Sequence, residues 1–165
     1  MQRIFPSPEA TRAAACALAR AAAPGGLVVA LIGPLGAGKT VFAKGLAEGL
    51  GIDPGLVASP TFVIASEYSA PDGRRLTHVD LYRIESAAEL EAAGFLDWLE
   101  PGVLVAVEWA DRFPEAMPAD RLEVRLSRPD AAEDPARRTL HAMALGATAE
   151  AALAGWSARL AAAAG

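Results

Sequence analysis

Residues 26–50, GLVVALIGPLGAGKTVFAKGLAEGL, constrain the fold of this chain more than any other stretch. LVVALI is short, β-branched and apolar on both faces, the pattern of a strand buried inside a sheet. A helix is predicted to follow from about Gly38 to Leu50. Between them Gly33–Thr40, GPLGAGKT, satisfies the phosphate-loop pattern G-x-x-x-x-G-K-[ST] at every required position, in the strand–loop–helix setting that pattern needs. Gly36 and Gly38 let backbone N–H groups wrap phosphate oxygens, and the helix N-terminus adds its dipole. Gly33, Pro34, Leu35, Ala37 and Val41 complete the expected nucleotide-contacting stretch. Lys39 neutralises the outer phosphates, and the Thr40 hydroxyl is placed to ligate magnesium. A plain glycine-rich turn would leave Lys39 unexplained, because the only other lysine is Lys44.

At 165 residues and 53% hydrophobic content, the chain is long enough for one substantial core and too short for two full domains, so residues 1–165 are expected to form a single domain. A net charge of −5 argues against unaided grip on nucleic acid, which rests on clustered Lys and Arg. The only cysteine, Cys16, excludes an internal disulfide, and with His78 and His141 as the only imidazoles there is no Cys/His zinc set. A reducing cytoplasm fits this composition. The alanine-rich TRAAACALARAAAP and AEAALAGWSARLAAAAG are interrupted by Arg12 and Arg20, and by Glu150 and Arg159. They read as helices, and no membrane segment is expected.

Ser7 is placed as an N-cap with Pro8 at the first helical position, and that helix stops at Pro24 and the following glycines. TFVIASEY and RLTHVDLY flank a reversal at Asp72-Gly73 and read as antiparallel partners. SAAELEAAGF is a short helix capped by Ser86, with Glu89 at capping-box spacing, and GVLVAVEW is a second buried strand. RLEVRLSR and RRTLHAMALG alternate as a half-exposed antiparallel pair joined by the acidic PDAAEDPA, and a helix of unassigned role begins near Ala147. The fold class is therefore α/β: a three-layer P-loop sandwich whose mixed sheet has a parallel centre and antiparallel additions.

A phosphate loop needs an acidic partner on a neighbouring strand and a group that orients the attacking water. Asp80 ends LTHVD and Glu108 ends VLVAV, at strand carboxyl ends where ligands of open α/β sheets collect. Asp80 is the candidate magnesium ligand, directly or through water, and Glu108 the water-orienting base or a further metal-site member; spacing does not divide the roles. Thr61 in SPTF follows Pro60, which restricts Ser59 to extended backbone. It reads equally as a γ-phosphate and metal sensor or as an ordinary residue entering a strand. His78 shares a strand face with Asp80, a position more often filled by a packed histidine than by a catalyst. Trp109 borders the expected pocket or is simply buried.

No asparagine occurs in the chain, which removes the Asn-Lys-x-Asp element of small GTPases, and there is no LSGGQ-like segment of transporter ATPases. ATP is the expected nucleotide. GPLGAGKT, SPTF, HVDLYR and the Glu108-Trp109 pair, in that order, closely resemble the TsaE (YjeE) family over roughly residues 7–145. The resemblance implies a magnesium-dependent ATPase that docks on TsaD and TsaB and supports tRNA threonylcarbamoyladenosine formation without transferring the group or gripping tRNA itself. It also implies roles for Lys39 and Thr40 at the phosphates, Thr61 as a switch-like threonine, Asp80 at the magnesium and Glu108 as the catalytic acid. The rival readings are a small-molecule kinase, with Arg137-Arg138 as lid residues, and a nucleotide-dependent binding module.

Overall fold

The computed structural model describes residues 1–22, 24–58, 64–128 and 134–163. The chain enters through β1 (Gln2–Phe5) and turns into α1 (Pro8–Ala21), where Ser7 Oγ accepts the Ala10 N–H at 3.1 Å and Pro8 occupies a position that needs no N–H. β2 (Leu27–Ile32) leads through the phosphate loop into α2 (Lys39–Leu50). The hairpin of β3 (Ala65–Ser69) and β4 (Arg75–Asp80) reverses at Asp72-Gly73, where Asp72 Oδ1 accepts the Arg74 N–H at 3.1 Å. α3 (Ala87–Ala92) is capped by Ser86 Oγ on the Glu89 N–H. The Glu89 carboxylate reaches the Glu85 N–H at 2.8 Å, one residue upstream of the usual capping-box partner. β5 (Val103–Glu108), β6 (Arg121–Ser127), β7 (Arg138–Leu145) and α4 (Ala147–Ala162) complete the order.

The strands form one seven-stranded sheet in the order β1-β7-β6-β2-β5-β4-β3. β6, β2, β5 and β4 are mutually parallel, while β7, β1 and β3 pair antiparallel at the flanks. This is the mixed sheet expected. Two details differ from the sequence reading. β1 has no counterpart in the sequence pattern: four residues with an exposed pattern carry little periodic signal, and their pairing with residues 138–141 of β7 is wholly long-range. β4 ends at Asp80, the strand end read for that acid, and the last two residues of RLTHVDLY leave the sheet, because Asp80 Oδ1 accepts the Tyr82 N–H at 3.0 Å and starts a turn. The expected start of β3 at residues 61–63 lies outside the described residues.

Alternation along the strands sorts the core into two layers. Leu27, Val29 and Leu31 of β2, with Leu104 and Ala106 of β5, face α1, α2 and α4. Val103, Val105 and Val107 of β5 face the opposite layer with Leu90, Phe95, Phe113 and Met117. α1 and α2 approach closely at two glycines, since a Cβ on Gly45 would lie 2.2 Å from Arg12 O and one on Gly49 2.5 Å from Cys16 O. α4 belongs to the same helical layer: Trp156 is fully buried, donates Nε1–H to Ala14 O at 2.8 Å and meets Phe42 edge-on at 5.9 Å. Its N-terminal Gly146 brings no capping side chain, and Asp120 accepts the Thr148 and Ala149 N–H groups instead, each at 3.0 Å. Among the described residues no helix is long and apolar enough to cross a membrane.

Candidate nucleotide-binding site

β2 delivers the chain to the carboxyl edge of the sheet centre, where Gly33 takes φ 145° with Leu126 O 2.2 Å from where a Cβ would stand. Gly38, at φ 106°, turns the loop into the first turn of α2 and exposes its N-terminal end. Ala37 is fully buried beneath the loop, while Leu35 is exposed. Lys39 is buried and folds back: its Nζ donates to Gly33 O at 2.7 Å and Pro34 O at 3.0 Å, and sits 3.6 Å from the ring centroid of Trp109. Burial pushes the lysine below its usual range, opposed by the carboxylates of Glu108, Asp80 and Asp111.

Strand alternation brings Glu108 to the same side as α2, in line with Leu104 and Ala106. There Thr40 Oγ1 donates to Glu108 Oε1 at 2.8 Å. His78 Nε2, fully buried on β4, meets the same oxygen at 2.9 Å. Asp80 is the register partner of Glu108 across the parallel β4–β5 pair. Trp109 follows at φ 60°, the only non-glycine residue with positive φ among the described residues, and its ring leans on Tyr82 with centroids 5.0 Å apart. Arg112 Nη1 donates to Tyr82 O and ties this corner together.

A cavity of about 300 Å³ joins these parts. Leu35, Gly36, Gly38, Lys39, Thr40 and Val41 line it from the loop, and Asp80, Glu108 and Trp109 from the strand ends. Nine of the expected residues thus meet around one opening, while Ala37 is buried beneath the loop and Gly33 and Pro34 contribute the carbonyls that hold Lys39. Thr61 lies outside the described residues. Tyr82 and Arg138 also line the cavity and were not among the expected site residues. Arg138 pairs with Phe5 at the start of β7, so it belongs to the sheet and not to a lid, in keeping with the strand pattern of its segment. Its guanidinium donates to Pro135 O, Arg137 O and, at 3.4 Å, to Gly36 O of the loop. Burial lowers its pKa, and the neighbouring Arg128 charge adds to that effect. No local spacing signals a contact across 102 positions.

The Thr40 hydroxyl and the Asp80 and Glu108 carboxylates are hard oxygen donors of the kind magnesium takes. Magnesium bound with a nucleotide uses one or two protein carboxylates beside phosphates and waters, and among the described residues no group of three or more His, Cys, Asp and Glu forms an all-protein cage. The donor set fits the ion.

A phosphate loop at the end of a central parallel strand, with a buried lysine and a free helix N-terminus, makes this a P-loop nucleotide-binding protein. The family model described as threonylcarbamoyl adenosine biosynthesis protein TsaE matches residues 5–139. The tRNA threonylcarbamoyladenosine biosynthesis protein TsaE of Bacillus subtilis is 45% identical over 123 residues, covering 74% of each chain. That of Streptomyces coelicolor is 43% identical over 104 residues, 62% of this chain and 70% of the relative. The crystal structure of Bacillus subtilis YdiB superposes with a TM-score of 0.73 at 34% identity, covering 96% of this chain and 95% of that one. The chain belongs to the TsaE family. The family match stops before α4, whereas the superposition leaves too few residues uncovered to omit that helix.

Proposed function

We propose that this protein binds ATP with magnesium and hydrolyses it as the energy-coupling subunit of tRNA N6-threonylcarbamoyladenosine formation, working in the cytoplasm with TsaD and TsaB and not transferring the group itself. The observation that carries the reading is the 2.8 Å contact of Thr40 Oγ1 with Glu108 Oε1, which sets a metal-ligating hydroxyl and a carboxylate side by side at the phosphate loop. The relatives named for this modification pathway supply the biological setting.

In this reading Lys39 leaves the Gly33 and Pro34 carbonyls for phosphate oxygens, and the loop N–H groups and the α2 N-terminus hold the remaining negative charge. Magnesium, when bound at Thr40 and Asp80 with the phosphates, supplies neutralisation of the charge that develops on them. Glu108 orients the attacking water and takes its proton as the water oxygen bonds to the γ-phosphorus; the bond to the β-phosphate bridging oxygen breaks, and ADP leaves with that electron pair. Thr61 takes the switch role, reporting the γ-phosphate to the partner surface. Net negative charge fits a subunit that leaves tRNA contact to TsaD and TsaB. The test is magnesium-dependent ATP hydrolysis with and without the purified TsaD–TsaB pair, using Lys39→Ala as the blank. Stimulation by the pair supports the reading, and its absence despite ATP binding sinks partner coupling.

A further inference from the structure

His78 has no part in the chemistry just described, yet it occupies a costly position. Its ring is fully buried, and Nδ1 has no hydrogen-bond partner among the described residues. Leu76 and Val79 show that this strand accepts apolar side chains at buried positions, so packing alone does not call for an imidazole. The register explains its aim. His78 lies opposite Ala106, whose small side chain leaves the ring room to reach Glu108, the next residue on that face of β5.

Thr40 Oγ1 donates to Glu108 Oε1 at 2.8 Å, and His78 Nε2 meets the same oxygen at 2.9 Å, a contact in which an Nε2–H is the donor that suits a carboxyl oxygen. Among the described residues no hydrogen bond reaches Oε2, and Glu108 lines the nucleotide cavity. The two donors are not equivalent. Thr40 belongs to the phosphate loop and must turn to its ligand when nucleotide binds, whereas His78 is anchored in the sheet and is not among the cavity-lining residues.

We propose that His78 is a positioning residue: its Nε2–H grips Glu108 Oε1 throughout the cycle, so that Oε2 stays turned toward the water it orients after Thr40 lets go. The inference rests on the hydrolytic reading above and adds to it the group that fixes the carboxylate's rotation. Nothing passes from the imidazole to substrate, and a neutral ring protonated on Nε2 and bare on Nδ1 suffices.

The test combines turnover with a spectroscopic readout. With TsaD and TsaB present, His78→Leu is expected to stay folded and bind ATP within about threefold of wild type, while kcat falls roughly 10–100-fold, the usual effect of losing a partner that orients a working ligand. His78→Gln, whose amide N–H can stand where Nε2–H stood, is expected to recover most of that loss. A merely structural histidine would show no such rescue in kcat against an unchanged affinity. Nitrogen-15 NMR of the imidazole in the free protein should show the Nε2–H form, with its resonances moved by Glu108→Gln. Wild-type kcat in a folded His78→Leu, a His78→Gln no better than Leu, or an Nδ1–H ring each overturns the proposal. If His78→Leu does not fold, the glutamine variant and the ring spectrum decide. Should wild type itself not hydrolyse ATP with the pair, the hydrolytic reading fails, and the ring spectrum still judges the grip on Glu108.

Discussion

Lys39 Nζ sits 3.6 Å from the centre of the Trp109 ring while donating to the carbonyls of Gly33 and Pro34. The lysine is therefore satisfied by its own loop, and in the proposed reading phosphate draws it away from both carbonyls and from the indole. Trp109 should report this directly. Adding ATP or ADP is expected to change tryptophan fluorescence, and Trp109→Phe to abolish the change while weakening binding by no more than a few-fold, since a cation–π contact is worth about 0.5–2 kcal/mol and phenylalanine retains part of it. An unchanged response in Trp109→Phe would assign the signal to Trp98 or Trp156.

Lys39→Met should separate binding from stability. Charge-assisted bonds to phosphate contribute about 1.5–3 kcal/mol, so calorimetric affinity for ATP is expected to drop by roughly 10–100-fold. The free protein should melt no lower than wild type, because burial already disfavours the ammonium and methionine carries no charge to desolvate. A strongly lowered melting temperature would show that the bonds to Gly33 O and Pro34 O outweigh that penalty.

Trp156 joins α4 to the rest of the helical layer. Its removal in Trp156→Ala takes away a fully buried ring, its edge contact with Phe42 and the bond to Ala14 O, with an expected loss of about 3–5 kcal/mol in urea unfolding. A loss below about 1 kcal/mol would mean that α4 is dispensable to the fold.

Gly45→Ala pits helix propensity against packing. Alanine gains up to about 1 kcal/mol in a helix interior. At this position its Cβ would stand 2.2 Å from Arg12 O and 2.7 Å from Ala15 Cβ, forcing α1 and α2 apart. Overpacking costs about 1–3 kcal/mol, so net destabilisation is expected in thermal melts. A more stable Gly45→Ala would contradict the close helix approach.

Asp120 supplies the pH dependence. Hydrogen bonding to Thr148 and then to Ala149 holds its carboxyl below the ordinary aspartate range. For a depressed acid the stabilisation is fully present above the ordinary pKa and is lost as pH falls through the lower folded-state value. The melting-temperature gap between wild type and Asp120→Asn should hence be constant near neutrality and shrink below the ordinary aspartate range. A gap that widens on acidification would reverse the sign and exclude Asp120 as the cap of α4.

Local chemistry was legible in the sequence wherever a short window contains the whole cause. Ser7-Pro8 and Ser86 cap helices because their partners lie within three positions, GPLGAGKT bends because its glycines can, and the two apolar runs become central strands because both of their faces are buried. The sequence also named Lys39, Thr40, Asp80 and Glu108 as candidates, yet left the last two without distinct places. Tertiary structure decided those places through strand order and register: β5 lies directly beside β2, and a period of two turns Glu108 toward α2 to meet Thr40 and His78. β1 on the edge of β7, Arg138 against Gly36 and Trp156 beneath α1 were settled at the same level. Each is a pairing between distant segments, stabilised only when the intervening chain has already folded, and no window of sequence holds both partners.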